Sequence, residues 1–182
     1  MERRFARLRP GTVSESDEFS VVPSDGMCLS SFLVISPAER ASEVLLGRVH
    51  PDPGWAERGA LGPARAARVA ERWMLPSSQL LLFESPSEAA RRIGREMLGV
   101  ELEPGAPAVF SEAYQRPEPE GPDPHWDLEF IFRPAWTGPE RVAHPAWSEI
   151  GFRDPRRIPA REFARGHEDI LALVGKRSPT DG

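Results

Sequence analysis

Apolar residues recur along this chain with two different periods, and the changes of period mark its elements. Residues 29–35 and 44–49 are short apolar runs, partly β-branched, separated by the turn-like Ser36-Pro37-Ala38-Glu39-Arg40. They predict two strands that pair as a first hairpin. Residues 108–115 predict a further strand, and a Pro-, Glu- and Gly-rich stretch at 116–124 predicts a loop. Residues 125–132 alternate most clearly: a period of two puts Trp126, Leu128, Phe130 and Phe132 on one face and His125, Asp127, Glu129 and Ile131 on the other. Residues 147–153 predict another strand. Helical spacing occurs at 86–98 and again at 159–174, where Phe163, Ile170, Leu171 and Val174 form the apolar positions.

The start of the first of these helices is written in its residues. In Ser85-Pro86-Ser87-Glu88, the proline supplies a fixed φ at a position that needs no donor, and the acid lies near the positive end of the helix dipole. Gly99 marks the end. Glu88, Arg92 and Glu96 are four apart and share a face, while Ile93 and Met97 form a second stripe. An apolar i, i+4 pair is the usual mark of a buried stripe, so Ile93 and Met97 read as packing residues.

The flanks are less regular. Residues 1–20 are charged and without a clear period, which fits a loose arm or an added edge element. Residues 51–72 open with Pro51-Asp52-Pro53-Gly54 and run into an Ala- and Arg-rich helical stretch at 64–72. No internal repeat is visible. The organisation expected is an N-terminal arm (1–20), one domain (21–176) and a short C-terminal tail (177–182), with residues 51–72 an insertion only relative to the family resemblance drawn below.

Composition narrows the class. At 182 residues and 40% hydrophobic the chain suffices for one domain with a substantial core. No run approaches the roughly 20 apolar residues that span a bilayer. Met1-Glu2-Arg3-Arg4 leads into no apolar signal core, so a soluble cytoplasmic protein is expected. A net charge of −5 argues against bulk nucleic-acid binding by a basic surface. Cys28 is the sole cysteine and lies in an apolar run, which excludes an intrachain disulfide and reads as a buried strand thiol. Apart from Lys176 every fixed cation is Arg, which suits phosphate recognition by guanidinium forks and equally suits a GC-rich genome.

The segment from Trp73 to Val100, WMLPSSQLLLFESPSEAARRIGREMLGV, resembles the Nudix box. That signature runs Gly, five residues, Glu, seven residues, Arg-Glu, an apolar residue, any residue, Glu-Glu, any residue, Gly, apolar. Glu84, Arg92, Glu96, Gly99 and Val100 match it. Ser78 stands at the leading Gly, Ile93 and Met97 stand where the family has glutamates, and Gly94 takes the apolar position. Leu75-Pro76 before the box and Glu84-Ser85-Pro86 and Ala89-Ala90-Arg91-Arg92 within it are similar to family sequence. The late segment 147–154 followed by Ile158-Pro159 extends the resemblance to roughly residues 27–175. It implies the α/β class: an α/β/α sandwich with a mixed β-sheet.

For the site, the resemblance implies that Glu84 and Arg92 form a structural loop-to-helix salt bridge and that Glu96 is the surviving metal and catalytic glutamate. Magnesium needs hard oxygen ligands in near-octahedral geometry, and one carboxylate does not also supply a base and a second clamp. The metal half of the box is therefore depleted while its scaffold half is kept. Glu88 reads either as a solvated first-turn acid or as a rescuing metal ligand. Outside the box, Asp127 and Glu129 are the candidates to rebuild a site with Glu96; the alternative is that they form the solvated side of an edge strand. Ser77 and Ser78 read either as a turn or as hydroxyls facing a ligand, and with Arg48 and His125 they make up the ligand-binding candidates. Glu112 and Arg116 are weaker ones. His167 reads as a surface residue, and Trp55, Trp73 and Tyr114 as core or as platforms for a base.

Two functions follow from the resemblance. One is a divergent hydrolase of a nucleoside diphosphate linked to another moiety, dependent on Mg²⁺ or Mn²⁺ and impaired in the standard chemistry. The other is an inactive Nudix-fold module, without a metal, that binds a nucleotide or a protein. Family analogy also implies a homodimer. Restoring glutamates at positions 93 and 97 is expected to awaken activity only where the rest of the pocket still binds a diphosphate.

Overall fold

The computed structural model describes residues 7–9, 12–13, 27–49, 70–114, 125–139, 141–145, 147–164 and 166–178. The nine strands among them are β1 (Arg7–Arg9), β2 (Thr12–Val13), β3 (Met27–Leu33), β4 (Val44–Val49), β5 (Trp73–Met74), β6 (Ser77–Gln79), β7 (Ala108–Tyr114), β8 (His125–Phe132) and β9 (Trp147–Arg153). The helices are α1 (Pro86–Ile93), continued by a π turn at Gly94–Leu98, and α2 (His167–Leu173).

A six-stranded mixed sheet is ordered β2-β1-β3-β8-β7, with β6 also on β3, and a three-stranded antiparallel sheet is ordered β5-β4-β9. β3 and β8 run parallel over Met27–Leu33 and Trp126–Phe132. The expected hairpin between the runs at 29–35 and 44–49 does not form. One edge of β3 is taken by β8 and the other by β1 and β6, while β4 pairs on its two edges with β5 and β9. Only the C-terminal ends of these interior parallel strands are apolar on both faces: Leu33 and Phe132 enter one core and Phe32 and Ile131 the other.

Two apolar layers lie on opposite sides of the sheets. Leu33, Phe132 and Leu45 pack with Ile93, Met97 and Leu102 on the α1 side. Phe32, Ile131, Val44 and Leu46 pack with Ile170, Leu171 and Val174 on the α2 side. Helices thus cover both faces of a mixed sheet, the α/β/α arrangement the sequence implied.

The long closing helix expected at 159–174 is shorter. Ala160–Glu162 forms one 3₁₀ turn, Phe163 is extended and bridges Trp73, and the Ala164 N–H donates to Trp73 O at 2.8 Å. Gly166, at φ 82°, then turns the chain into α2. Pairing with the Trp73 backbone overrides helical spacing at these positions. The Ala- and Arg-rich stretch at 64–69, Trp55, Arg116 and the loop at 116–124 lie outside the described residues.

Candidate functional site

α1 begins with a capping box. The Glu88 N–H donates to Ser85 Oγ (3.3 Å), and the Ser85 N–H (2.8 Å) and hydroxyl (2.6 Å) donate to Glu88 Oε2. These bonds, the side-chain one first, hold the Glu88 carboxyl below the usual carboxylate range. Glu88 therefore serves the start of the helix.

Arg92 is buried and ties the preceding loop to the helix. Its Nε and Nη2 make a two-pronged contact with Glu84 at 2.7 and 2.8 Å. Nη2 also donates to Gln79 O at 2.9 Å and Nη1 to Ser78 Oγ at 3.2 Å. Glu84 Oε2 in turn accepts the Leu81 N–H at 2.8 Å. Every atom of this network organises residues 78–92. Ser78 belongs to it, and its hydroxyl donates onward to Gln79 O.

The opposite stripe of the same helix is core. Ile93 is 0% and Met97 1% exposed, and both sit in the apolar layer with Leu33, Leu45, Leu102 and Phe132. Trp147 closes over the last turn, its Nε1–H donating to Met97 O at 2.6 Å. Gly94 lets this turn pack: a Cβ there would lie 2.9 Å from both Leu102 Cδ1 and Val100 O. Gly99 ends the turn at φ 68° and its N–H donates to Gly94 O.

Glu96 remains at the helix surface with its Oε2 3.9 Å from Arg92 Nη1. Asp127 and Glu129 do not join it. Glu129 stands in register with Ser30 and Phe110, and Phe110 packs in the α2 layer, as does Ile131 two residues on. On the neighbouring register row, Ser31 donates to Pro86 O at the start of α1. The strand acids thus face away from α1. Nor is β8 an edge strand, since it lies between β3 and β7, and Glu129 is only 6% exposed.

The remaining candidates are dispersed. Ser77 pairs with Phe32 on the row opposite in facing to that of Ser78. Arg48 lies over the Trp73 ring, 4.6 Å from its centroid, with Glu149 and Glu162 at 3.8 and 3.6 Å. The backbone of His125 pairs with Tyr114 and that of Glu112 with Asp127; the side chains of His125, Tyr114 and Glu112 lie outside the described residues. Among the described residues no group of three or more His, Cys, Asp or Glu stands close enough to hold a metal ion. The residues at the box do not fit a magnesium cluster. Two of the three ligand positions are buried hydrocarbon, and the nearby acids Glu84 and Glu88 are committed to Arg92 and to the helix cap.

His167 is not at the surface. It is buried, and its Nδ1 accepts the Leu75 N–H at 3.0 Å. The signal was present, because His167, Ile170, Leu171 and Val174 share one helical stripe. Gly94, read in the sequence as a departure from the box, proves a packing requirement that only a three-dimensional neighbour reveals.

No protein-family model matches the sequence, and no curated protein matches it. What the sheets and helices define is an α/β/α sandwich built on a mixed sheet, and solved structures share it. A MutT NUDIX hydrolase from Burkholderia pseudomallei is similar at a TM-score of 0.55 and 18% identity, over 81% of this chain and 98% of that one. The E. coli dihydroneopterin triphosphate pyrophosphohydrolase is similar at 0.55 and 13%, over 80% and 92%. The NUDIX domain of Shewanella oneidensis NrtR, crystallised with ADP ribose, is similar at 0.53 and 14%, over 82% and 87%. The chain has the Nudix fold. No helix among the described residues is long and apolar enough to cross a membrane.

Proposed function

We propose that this chain is a Nudix-fold binding module that holds a nucleoside diphosphate derivative without hydrolysing it. The observation that carries the reading is the burial of Ile93 and Met97 in the α1-side core, where the box otherwise supplies carboxylates. Metal-assisted hydrolysis needs a charge-stabilising ion and an activated water. A stripe of hydrocarbon sealed by Trp147 provides neither. What the box does retain, the Glu84–Arg92 tie and the Ser85 cap, holds the loop–helix–loop in shape. Function lives in sites rather than folds, and here the scaffold has outlived the reaction centre.

The ligand class is supported by the NrtR NUDIX domain, a protein of the same fold crystallised with ADP ribose. The test is calorimetric titration with ADP-ribose in the presence of EDTA, followed by analysis of the recovered nucleotide. Saturable binding with intact ligand is expected. Absence of binding, or binding that appears only with Mg²⁺ and yields cleaved product, would overturn the proposal in favour of another ligand or of the divergent hydrolase.

A further inference from the structure

One edge of the six-stranded sheet is open. Among the described residues the sheet ends in β7, whose inner edge pairs with β8 residue for residue, from Ala108 opposite Ile131 to Tyr114 opposite His125, without a bulge. β2, at the other end of the sheet, has two residues, whereas β7 has seven. Alternate residues of such an edge turn their N–H and C=O groups outward, which makes it a template for another strand. Edges are usually blunted by shortness, by a bulge, or by proline or lysine. Ala108–Tyr114 has none of these, and Glu112 is its one charged residue.

The surface beside this edge is apolar. Val109, 59% exposed, and Trp126, 53% exposed, are two of the four large hydrophobic side chains that stand open to solvent among the described residues. Both lie on the α1 side of the sheet. Val109 pairs with Phe130, which packs against the α1-side core, and Trp126 shares the face of Phe130 on β8. Trp126 in turn pairs with Ala113 of β7.

We propose that β7 is the interface with a second copy of this chain: two β7 strands pair antiparallel and join the six-stranded sheets into one across a two-fold axis. An open edge takes a strand as its partner, and β7 is complementary to its own reverse. The axis that pairs all seven residues passes through Ser111, which is exposed, and sets Val109 opposite Ala113 of the second copy and Phe110 opposite its Glu112. With strands about 4.8 Å apart, one row then reads Trp126, Ala113, and Val109 and Phe130 of the second copy. The small Ala113 leaves the indole room to lie against the opposing Val109, so one contact, made twice by the symmetry, covers both exposed side chains. Charge selects this register. An axis through Glu112 would oppose two carboxylates, which destabilises a cross-strand pair, and one through Phe110 would leave Ala113 and Tyr114 unpaired. The interface is independent of the nucleotide reading, since it uses no residue of the box.

The test is light scattering coupled to gel filtration of the full chain, with disulfide cross-linking of two cysteine variants. Cys28 is buried, so a new exposed cysteine is the reactive one. Ser111→Cys puts the two new residues directly opposite each other, with Cα atoms about 4.5–5.5 Å apart, inside the range of about 4.4–6.8 Å that a disulfide spans. Ala108→Cys, also at an exposed position, stands opposite Tyr114, so its two copies lie about 20 Å apart. A dimer at micromolar concentration is expected, with Ser111→Cys cross-linked under mild oxidation and Ala108→Cys not. Val109→Lys should weaken the dimer on the order of tenfold with an unchanged Tm, since two cross-strand pairs are lost. A monomer in solution, which would leave the edge to a strand of a different protein, a dimer that Val109→Lys leaves as tight, or equal cross-linking of the two cysteine variants would overturn the assignment.

Discussion

Replacing Ile93 by glutamate restores a box residue in sequence and places a carboxyl in hydrocarbon. Ile93 has no exposed surface and packs with Leu33, Leu45, Ala90, Leu102 and Phe132. Loss of its buried apolar surface costs about 1.5–3 kcal/mol. Burial of an unpartnered polar group adds about 1–3 kcal/mol on the scale of protein mutations. The sum is about 4 kcal/mol, a large part of the roughly 5–15 kcal/mol that holds a domain folded. The introduced carboxyl, desolvated in the native state, has a raised pKa there and an ordinary one, near about 4.3, in the unfolded chain. The unfolded state then binds fewer protons, so the deficit is smallest below that value and grows as pH rises towards the native-state pKa. Urea denaturation of wild type and Ile93→Glu at pH 5 and pH 7, with and without MgCl₂, measures each part. A variant within about 1 kcal/mol of wild type at pH 7, and stabilised by Mg²⁺, would refute the reasoning by showing that position 93 opens onto a solvated metal site. The same packing predicts that the double change Ile93→Glu with Met97→Glu unfolds the chain instead of awakening hydrolysis.

Three further outcomes follow from the box. Gly94→Ala gains helix propensity but forces a methyl against Leu102 and the Val100 carbonyl, and should lose about 1–3 kcal/mol in thermal or urea unfolding; a variant as stable as wild type would show that this turn has room. Arg92→Ala leaves the Glu84 carboxylate without its partner and should cost about 3 kcal/mol, as broken buried pairs do; a loss below about 1 kcal/mol would make the tie incidental. Because Glu88 titrates below the ordinary carboxylate range, its cap contributes stability above the unfolded-state pKa and loses it as pH falls through the depressed native value. Comparison with Glu88→Gln across that acid range should therefore show the difference in stability shrinking, and a constant difference would contradict it.

Elements whose signals are local were legible in the sequence. The cap at Ser85–Glu88, the end at Gly99, and strands β4, β8 and β9 lie where residue spacing and punctuation put them. Pairing was not. Two apolar runs either side of a turn read as a hairpin, but β3 chose a parallel partner about a hundred residues further on, as its register with β8 shows, and such choices depend on side-chain fit across the whole sheet. The site followed the same division. Ile93 and Met97 were readable as packing residues from their spacing alone. The separation of Asp127 and Glu129 from Glu96 was not, because alternation says which residues share a face and not which helix covers it. Arg177 looked like part of a polar tail, and only its fold neighbours, the carbonyls of Pro155 and Ile158, reveal it as buried.

The central claim is that the box of this Nudix-fold chain has kept its scaffold and lost its reaction centre. Its most direct test is a product assay of the purified, folded chain against ADP-ribose, other nucleoside diphosphate derivatives and nucleoside triphosphates, with Mg²⁺ or Mn²⁺ and with Glu96→Gln in parallel. The account predicts product formation no greater than in the Glu96→Gln control on every substrate. Saturable, metal-dependent turnover that Glu96→Gln abolishes would contradict it.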